Sequence, residues 1–212
     1  MDFSAMGKIP QFLTNLKSQR IILIGNGPSA IDKKNGTTID QFDTIIRINN
    51  YVTDGMEMYL GSRTDIWVNG ANQGLKKRSN IPKNIFVMIP PSVLEQKGEA
   101  IHKRIQNRLR TEKYFMLPLP IMKDLELSSE IIRPTTGFFA IYFLYLFGCD
   151  ITLHGFDFFQ GSSSHYFDSP LKKWFKDKGI IRKAGKHDVN AEKTFIEGLI
   201  QNGEIKQLVN GK

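Results

Sequence analysis

The stretch Ile132–Phe158, IRPTTGFFAIYFLYLFGCDITLHGFDF, decides the fold. Pro134 and Gly137 punctuate its start, and Thr135 or Thr136 can cap the first turn of a helix. The run FFAIYFLYLFG that follows is apolar on every side, so a helix here is predicted to be buried all round. At about a dozen residues it falls short of the ~20 needed to cross a bilayer, which makes it a core helix. Gly148 closes it, and Ile151–His154 reads as a short buried strand ahead of a Gly155-Phe156-Asp157 loop. Turn, buried helix, strand and loop in that order form half of an α/β nucleotide-type unit. Such units bind ligands where their loops gather at one edge of the sheet.

Toward the N-terminus, Arg20–Ile24 is a β-branched run broken by Gly25-Asn26-Gly27-Pro28-Ser29, a strand delivering its end to a turn. Asp43–Ile48 is predicted as the second strand, ending in Asn49, with Asp65–Val68 and Asn84–Ile89 as the third and fourth. Residues 92–110 carry a helical pattern with a basic face, Tyr114–Leu117 reads as a strand stopped by Pro118 and Pro120, and a helix spans Val189–Gln201. Strands alternating with helices predict an α/β class, a single Rossmann-like domain with a mostly parallel sheet and helices on both faces. Residues 1–19 read as an N-terminal arm and 20–212 as that one domain.

The composition, 41% apolar and 24% charged over 212 residues, is that of an ordinary soluble protein. One cysteine leaves no internal disulfide and favours a reducing cytoplasm. A net charge of +8 calls for anionic partners. The basic residues are scattered and show no nucleic-acid signature, so a nucleotide-phosphate substrate and a negatively charged membrane surface explain the charge better. The basic faces at 102–110 and 172–183, the second beside Trp174 and Phe175, admit two readings: peripheral contact with an anionic membrane, or a solvated surface.

Gly25-Asn-Gly-Pro-Ser-Ala30 matches the dinucleotide pattern G-x-G-x-x-A. That pattern also wants an acid at the end of the second strand, where this chain has Arg47 and Asn49. An arginine there could meet a 2′-phosphate, so an NADP-linked or nucleotide-binding protein stands as one alternative, and a plain tight turn as another. Pro28 suits the first position of a helix whose free amides face a phosphate. Asn26, a polar amide between Gly25 and Gly27, points instead to a site that donates to a phosphate or carboxylate.

His165-Tyr166 and His187-Asp188, with Glu192 further on, complete the chemistry-bearing residues. A metal on His165, His187 and Asp188 lacks the i, i+4 layout of a helical zinc site, and no G-x-S-x-G elbow occurs. Acid/base work by one imidazole, with the other donating to a leaving phosphate, is what remains.

Four segments in order resemble the sialyltransferases of glycosyltransferase family 29. Arg20–Asn49 with Gly55–Arg63 is similar to their large motif, and Arg133–Phe156 to the small motif. His165-Tyr166 is similar to the third motif, and His187-Asp-Val-Asn-Ala-Glu192 to the very small motif. The GNGPS turn and the Gly155–Gln160 segment show a more distant similarity to the bacterial family 42 sialyltransferases. The resemblance implies a GT-A-variant fold and a metal-independent, inverting transfer of a sugar acid from CMP to a glycan hydroxyl, terminal galactose for preference. It implies no cofactor and no metal, with a CMP-activated donor and a glycan or glycolipid acceptor as partners. Asn26 and Asn49 would contact the nucleotide phosphate and ribose, and Thr135, Thr136 and Gly137 the cytidine or donor carboxylate. His187 would be the general base; His165, helped by Tyr166, would hold the departing CMP phosphate; Glu192 would support.

Two departures matter. Secretory members carry a cysteine in each of the large and small motifs; here Cys149 lies at or next to the second and Ile21 occupies the first, which points to a bacterial-type cytoplasmic enzyme. Arg133 replaces a tyrosine, and could serve the phosphate more strongly or signal a different sugar acid. CMP-Kdo is accordingly an alternative donor for the same mechanism.

Overall fold

Each predicted β-branched run becomes a strand of one sheet in the computed structural model, which describes residues 3–78, 80–109, 113–157, 165–168 and 187–208. The strands are β1 (Arg20–Ile24), β2 (Thr44–Ile48), β3 (Ile66–Asn69), β4 (Asn84–Val87), β5 (Phe115–Met116), β6 (Asp150–His154) and β7 (Lys206–Gln207), in the order β5-β4-β3-β2-β1-β6-β7. Every ladder between them is parallel. The loop at 161–164, Trp174 and Phe175, the basic stretch 172–183 and Arg110 lie outside the described residues.

Parallel strands are covered on both faces because the crossovers are helical. The helices are α1 (Gln11–Thr14), α2 (Gly36–Ile39), α3 (Glu57–Leu60), α4 (Pro91–Leu109), α5 (Leu119–Ser129), α6 (Thr136–Leu146) and α7 (Val189–Gln201). Alternate residues along each strand serve opposite cores. Ile21, Leu23, Ile46 and Val68 join α5, α6 and α7 on one face. Ile22, Ile24 and Ile45 meet Ile39 and Leu60 of α2 and α3 on the other, while Trp67, Ile85 and Val87 meet Ile101 and Ile105 of α4. The α/β expectation with helices on both faces holds.

Helix α6 is the centre of the larger core, as its apolar composition requires: every residue from Phe138 to Leu144 is buried. Full burial of Phe138, Phe139 and Phe143 contributes about 2–3 kcal/mol each. Thr135, not Thr136, is its N-cap, and accepts a hydrogen bond from the Phe138 N–H at 3.2 Å. The described part of the expected N-terminal arm, residues 3–19, packs against the domain. Met6, Leu13 and Leu16 sit inside the α6 core, and Phe3 packs edge-on against Phe143 and Phe147. Pro118 and Pro120 follow the end of β5 as expected, and they also open helix α5, which was not expected: Pro118 stands at its N-cap and Pro120 in its first turn, where a missing N–H costs nothing.

Candidate active site

The chain steps outward from β1 to β5, then returns to lay β6 against the free side of β1. The strand order therefore switches between β1 and β6, and a crevice forms outside their carboxyl ends. The crevice is a cleft of about 680 Å³, lined by Gly25–Pro28 after β1, Asn49 after β2, Gly155–Asp157 after β6, the start of α6, His165 and the start of α7.

The glycines of the first loop are explained by their own neighbours. Gly25 and Gly27 donate to the carbonyls of His154 and Gly155, extending the β1–β6 ladder past the strands. A Cβ on Gly25 would lie 2.4 Å from the Gly155 oxygen, and one on Gly27 2.3 Å from Asp157 Oδ2. Asp157 in turn accepts from the Ser29 N–H at 2.9 Å and from the Ser29 hydroxyl. The phosphate expected at the Pro28 helix start is thus replaced by a carboxylate of the chain, and the helix there is a single 3₁₀ turn, Pro28–Ile31. Arg47, considered for a 2′-phosphate, is 1% exposed. Its guanidinium donates to the carbonyls of Leu60, Gly61 and Arg63 and to the Thr64 hydroxyl, on the face away from the cleft. Burial holds its pKa below the ordinary value. Both observations remove the support for the NADP reading.

Asn26 and Asn49 line the cleft as expected. Asn26 Nδ2 donates to the Ile48 carbonyl at 2.8 Å, tying the ends of β1 and β2 together. Asn49, in the left-handed region at φ 53°, accepts from the Gly70 N–H through Oδ1, so Nδ2 is what it offers a ligand.

At the start of α6, Thr135 is gripped by α7. Glu192 accepts from the Thr135 N–H and from its hydroxyl, both at 2.7 Å. Glu192 is 2% exposed, and burial pushes its carboxyl up to about 7, against the opposing effect of the two Thr135 hydrogen bonds. Thr135 therefore uses its side chain within the fold. Thr136 turns its hydroxyl toward Gly70, where a Cβ would sit 2.3 Å away, and does not line the cleft through its side chain. The N–H groups of Thr136 and Gly137 are what this helix start presents.

His187 stands just outside the lining, bracketed by it. Its Nδ1 lies 2.6 Å from the Arg133 carbonyl, two residues before Thr135, and Val189 lines the cleft two residues after it. A carbonyl accepts only, so Nδ1 carries a proton, and in the neutral ring the lone pair is on Nε2. Arg133 thus acts through its backbone; its side chain does not line the cleft, and its own N–H donates to Glu126. That differs from the expected phosphate contact, because φ 56° at Arg133 turns the chain so that the carbonyl meets His187.

His165 lines the cleft, on a turn closed by its N–H to Asp168 at 2.9 Å. Tyr166 does not. Its hydroxyl donates to the Val52 carbonyl at 2.7 Å and accepts from the Val52 N–H at 2.9 Å, and burial raises its pKa. Tyr166 pins the turn, while its N–H holds Asn26 at the carbonyl. Among the described residues, no three His, Cys, Asp or Glu side chains gather as a metal would require. Ile21 is fully buried opposite Ile151, and burial pushes the Cys149 thiol up to about 11.

The family model of glycosyltransferase family 29 (sialyltransferase) matches residues 5–204. A CMP-N-acetylneuraminate-beta-galactosamide-alpha-2,3-sialyltransferase 4 of Mus musculus is 24% identical over 234 residues, covering 94% of this chain and 67% of that protein. A mammalian sialyltransferase solved with Gal-beta-1-3GalNAc-ortho-nitrophenol superimposes with a TM-score of 0.68 at 18% identity, over 99% of this chain and 77% of that one. The sialyltransferase CstII from Campylobacter jejuni, solved with CMP-3FNeuAc, gives 0.57 at 18% identity, over 89% and 80%. With the family's motifs brought to one cleft and the family model matched across nearly the whole chain, this protein belongs to glycosyltransferase family 29, the sialyltransferases.

Proposed function

We propose that this enzyme moves a sialic-type sugar acid from CMP to a glycan hydroxyl, with terminal galactose as the acceptor sugar, in one inverting, metal-independent displacement. The observation that carries the reading is the His187–Arg133 contact, which fixes the imidazole as an Nδ1–H tautomer with a basic Nε2 beside the cleft. Nε2 takes the acceptor hydroxyl proton as the oxygen bonds to the anomeric carbon. The bond from that carbon to the CMP phosphate breaks, and the electron pair leaves with the phosphate. His165 faces that departing charge from the lining. The Thr136 and Gly137 N–H groups, at the positive end of α6, hold the donor carboxylate or phosphate. Asn49 Nδ2 and Asn26 contact the nucleotide. Glu192, its carboxyl pushed up to about 7 by burial, repels an anionic donor less at neutral pH than an ordinary carboxylate would.

Thermal melts test the donor class. CMP should stabilise the protein and NADP should not; the reverse result would restore the reductase. Parallel hydrolysis of CMP-sialic acid and CMP-Kdo identifies the sugar acid, and faster turnover of Kdo would replace sialic acid in this proposal. The lone, buried Cys149 supports a cytoplasmic setting, which fractionation of the producing cell checks.

A further inference from the structure

A second, open space is lined by residues next in the chain to those of the cleft. Asn50, the neighbour of Asn49, and Phe167, two residues after His165, both line it, together with Lys76, Lys77 and Arg78. Lys77 also lines a third, open groove of about 1280 Å³, shared with Lys103, Arg104 and Arg108 of α4. The first two spaces are thus related through the chain at Asn49-Asn50 and His165–Phe167, the second and third share Lys77, and the last two are strongly cationic. Among the described residues, Asp54 is the one carboxylate in the lining of the second, and the third has none.

The loop that presents these lysines is held firmly. Asn50 Nδ2 donates to the Gly74 carbonyl at 2.7 Å, and Asn50 Oδ1 accepts from the Lys76 N–H at 3.0 Å. Arg78 lies over the Tyr51 ring, 3.8 Å from its centroid, and donates to the Tyr51 carbonyl at 2.9 Å. Arg104 donates to the Ala71 carbonyl at 2.8 Å, joining α4 to the same loop. Lys77, Lys103 and Arg108 are exposed and enter no ion pair among the described residues. A solvated helix face needs no such clamps, and cations held in line without carboxylates repel one another until an anion meets them.

Resting on the sialyl-transfer reading above, we infer that the acceptor is an anionic glycan. Its terminal sugar enters the cleft, and phosphate or carboxylate groups on its inner sugars lie along Lys76, Lys77, Lys103 and Arg108. Among the described residues, neither cationic space offers the row of free aromatic faces that single-stranded nucleic acid uses: Tyr51 is covered by Arg78, and Phe167 is stacked on His165 with Lys76 over its ring.

The test compares transfer from CMP-sialic acid to two matched galactose-terminated oligosaccharides, one neutral and one with phosphates on its inner sugars. Wild type and a Lys103→Glu/Arg108→Glu variant are measured, both positions being exposed on α4 and outside the cleft. Wild type should show a KM about tenfold lower for the phosphorylated acceptor. The variant should lose that difference while keeping kcat and the KM for the neutral acceptor, and ~1 M salt should abolish it too, through screening within ~3 Å. A melting temperature equal to wild type shows that the variant folds. Equal KM values for both acceptors would overturn the inference. So would retention on phosphatidylglycerol vesicles that the variant loses while acceptor KM values stay equal, which assigns the groove to lipid. If CMP-sialic acid neither binds nor is hydrolysed, the donor reading fails, and this inference falls with it; donor turnover without a preference among acceptors sinks this inference alone.

Discussion

Glu192 accepts two hydrogen bonds from Thr135, one from the backbone N–H and one from the hydroxyl, across 57 residues of sequence. The pair fastens the first turn of α7, just after His187, to the N-cap of α6. Thr135→Ala removes the cap and leaves a buried carboxyl with one partner, an expected loss of about 2–3 kcal/mol in urea denaturation. Thr135→Ser keeps both roles and should cost less than about 1 kcal/mol. Equal losses for the two would show that the hydroxyl does not matter.

The same carboxyl links stability to pH. Its pKa is raised in the folded state from the ordinary 4.5 to about 7, so the folded protein binds that proton more tightly than the unfolded chain. The resulting stabilisation is complete below about pH 4.5 and is lost as pH rises through about 7, amounting to about 3 kcal/mol at most. Glu192→Gln should flatten that fall when melting temperature is followed from pH 5 to 8. A wild-type slope preserved in the variant would locate the linkage elsewhere.

Arg47 is a buried cation held by three backbone carbonyls and the Thr64 hydroxyl, with no carboxylate among its hydrogen-bond partners and Nη1 unpaired. Truncation to Ala strands the carbonyls of Leu60, Gly61 and Arg63 and opens a cavity, an expected cost of about 3–5 kcal/mol. NADP should fail to stabilise either form. A loss below about 1 kcal/mol would mean those carbonyls find other partners.

Gly27→Ala places a methyl 2.3 Å from Asp157 Oδ2 and so pushes the carboxylate off Ser29. Overpacking of this kind costs about 1–3 kcal/mol. CMP affinity, measured by calorimetry, should fall with it, because both loops wall the cleft. Unchanged affinity in a destabilised variant would separate the loop junction from donor binding.

Much of this was legible in the chain before any coordinates. The run from Phe138 to Phe147 is too apolar to lie anywhere but a core, and β-branched runs ahead of glycines read as strands. Pro118 and Pro120 marked the end of β5 but not the start of α5, because a proline that ends a strand and one that opens a helix look alike until the next turn is placed. Leu13 and Leu16 sit on elements too short to show a period. At the site, Asn26, Asn49, Thr135 and His165 were readable because they flank strand ends and helix starts. The Ser29–Asp157 contact joins residues 128 apart and carries no local mark. Arg47 and Tyr166 look like surface chemistry in sequence. Only tertiary packing, around Leu60 for one and Val52 for the other, turns them inward.

The proton-accepting role of His187 is tested by single-turnover transfer of labelled sialic acid from CMP-sialic acid to a galactose-terminated acceptor, wild type against His187→Ala. A fall of about 10²–10⁴-fold in rate, with the affinity for CMP kept, is the expected result. Transfer by the variant at the wild-type rate would contradict the account.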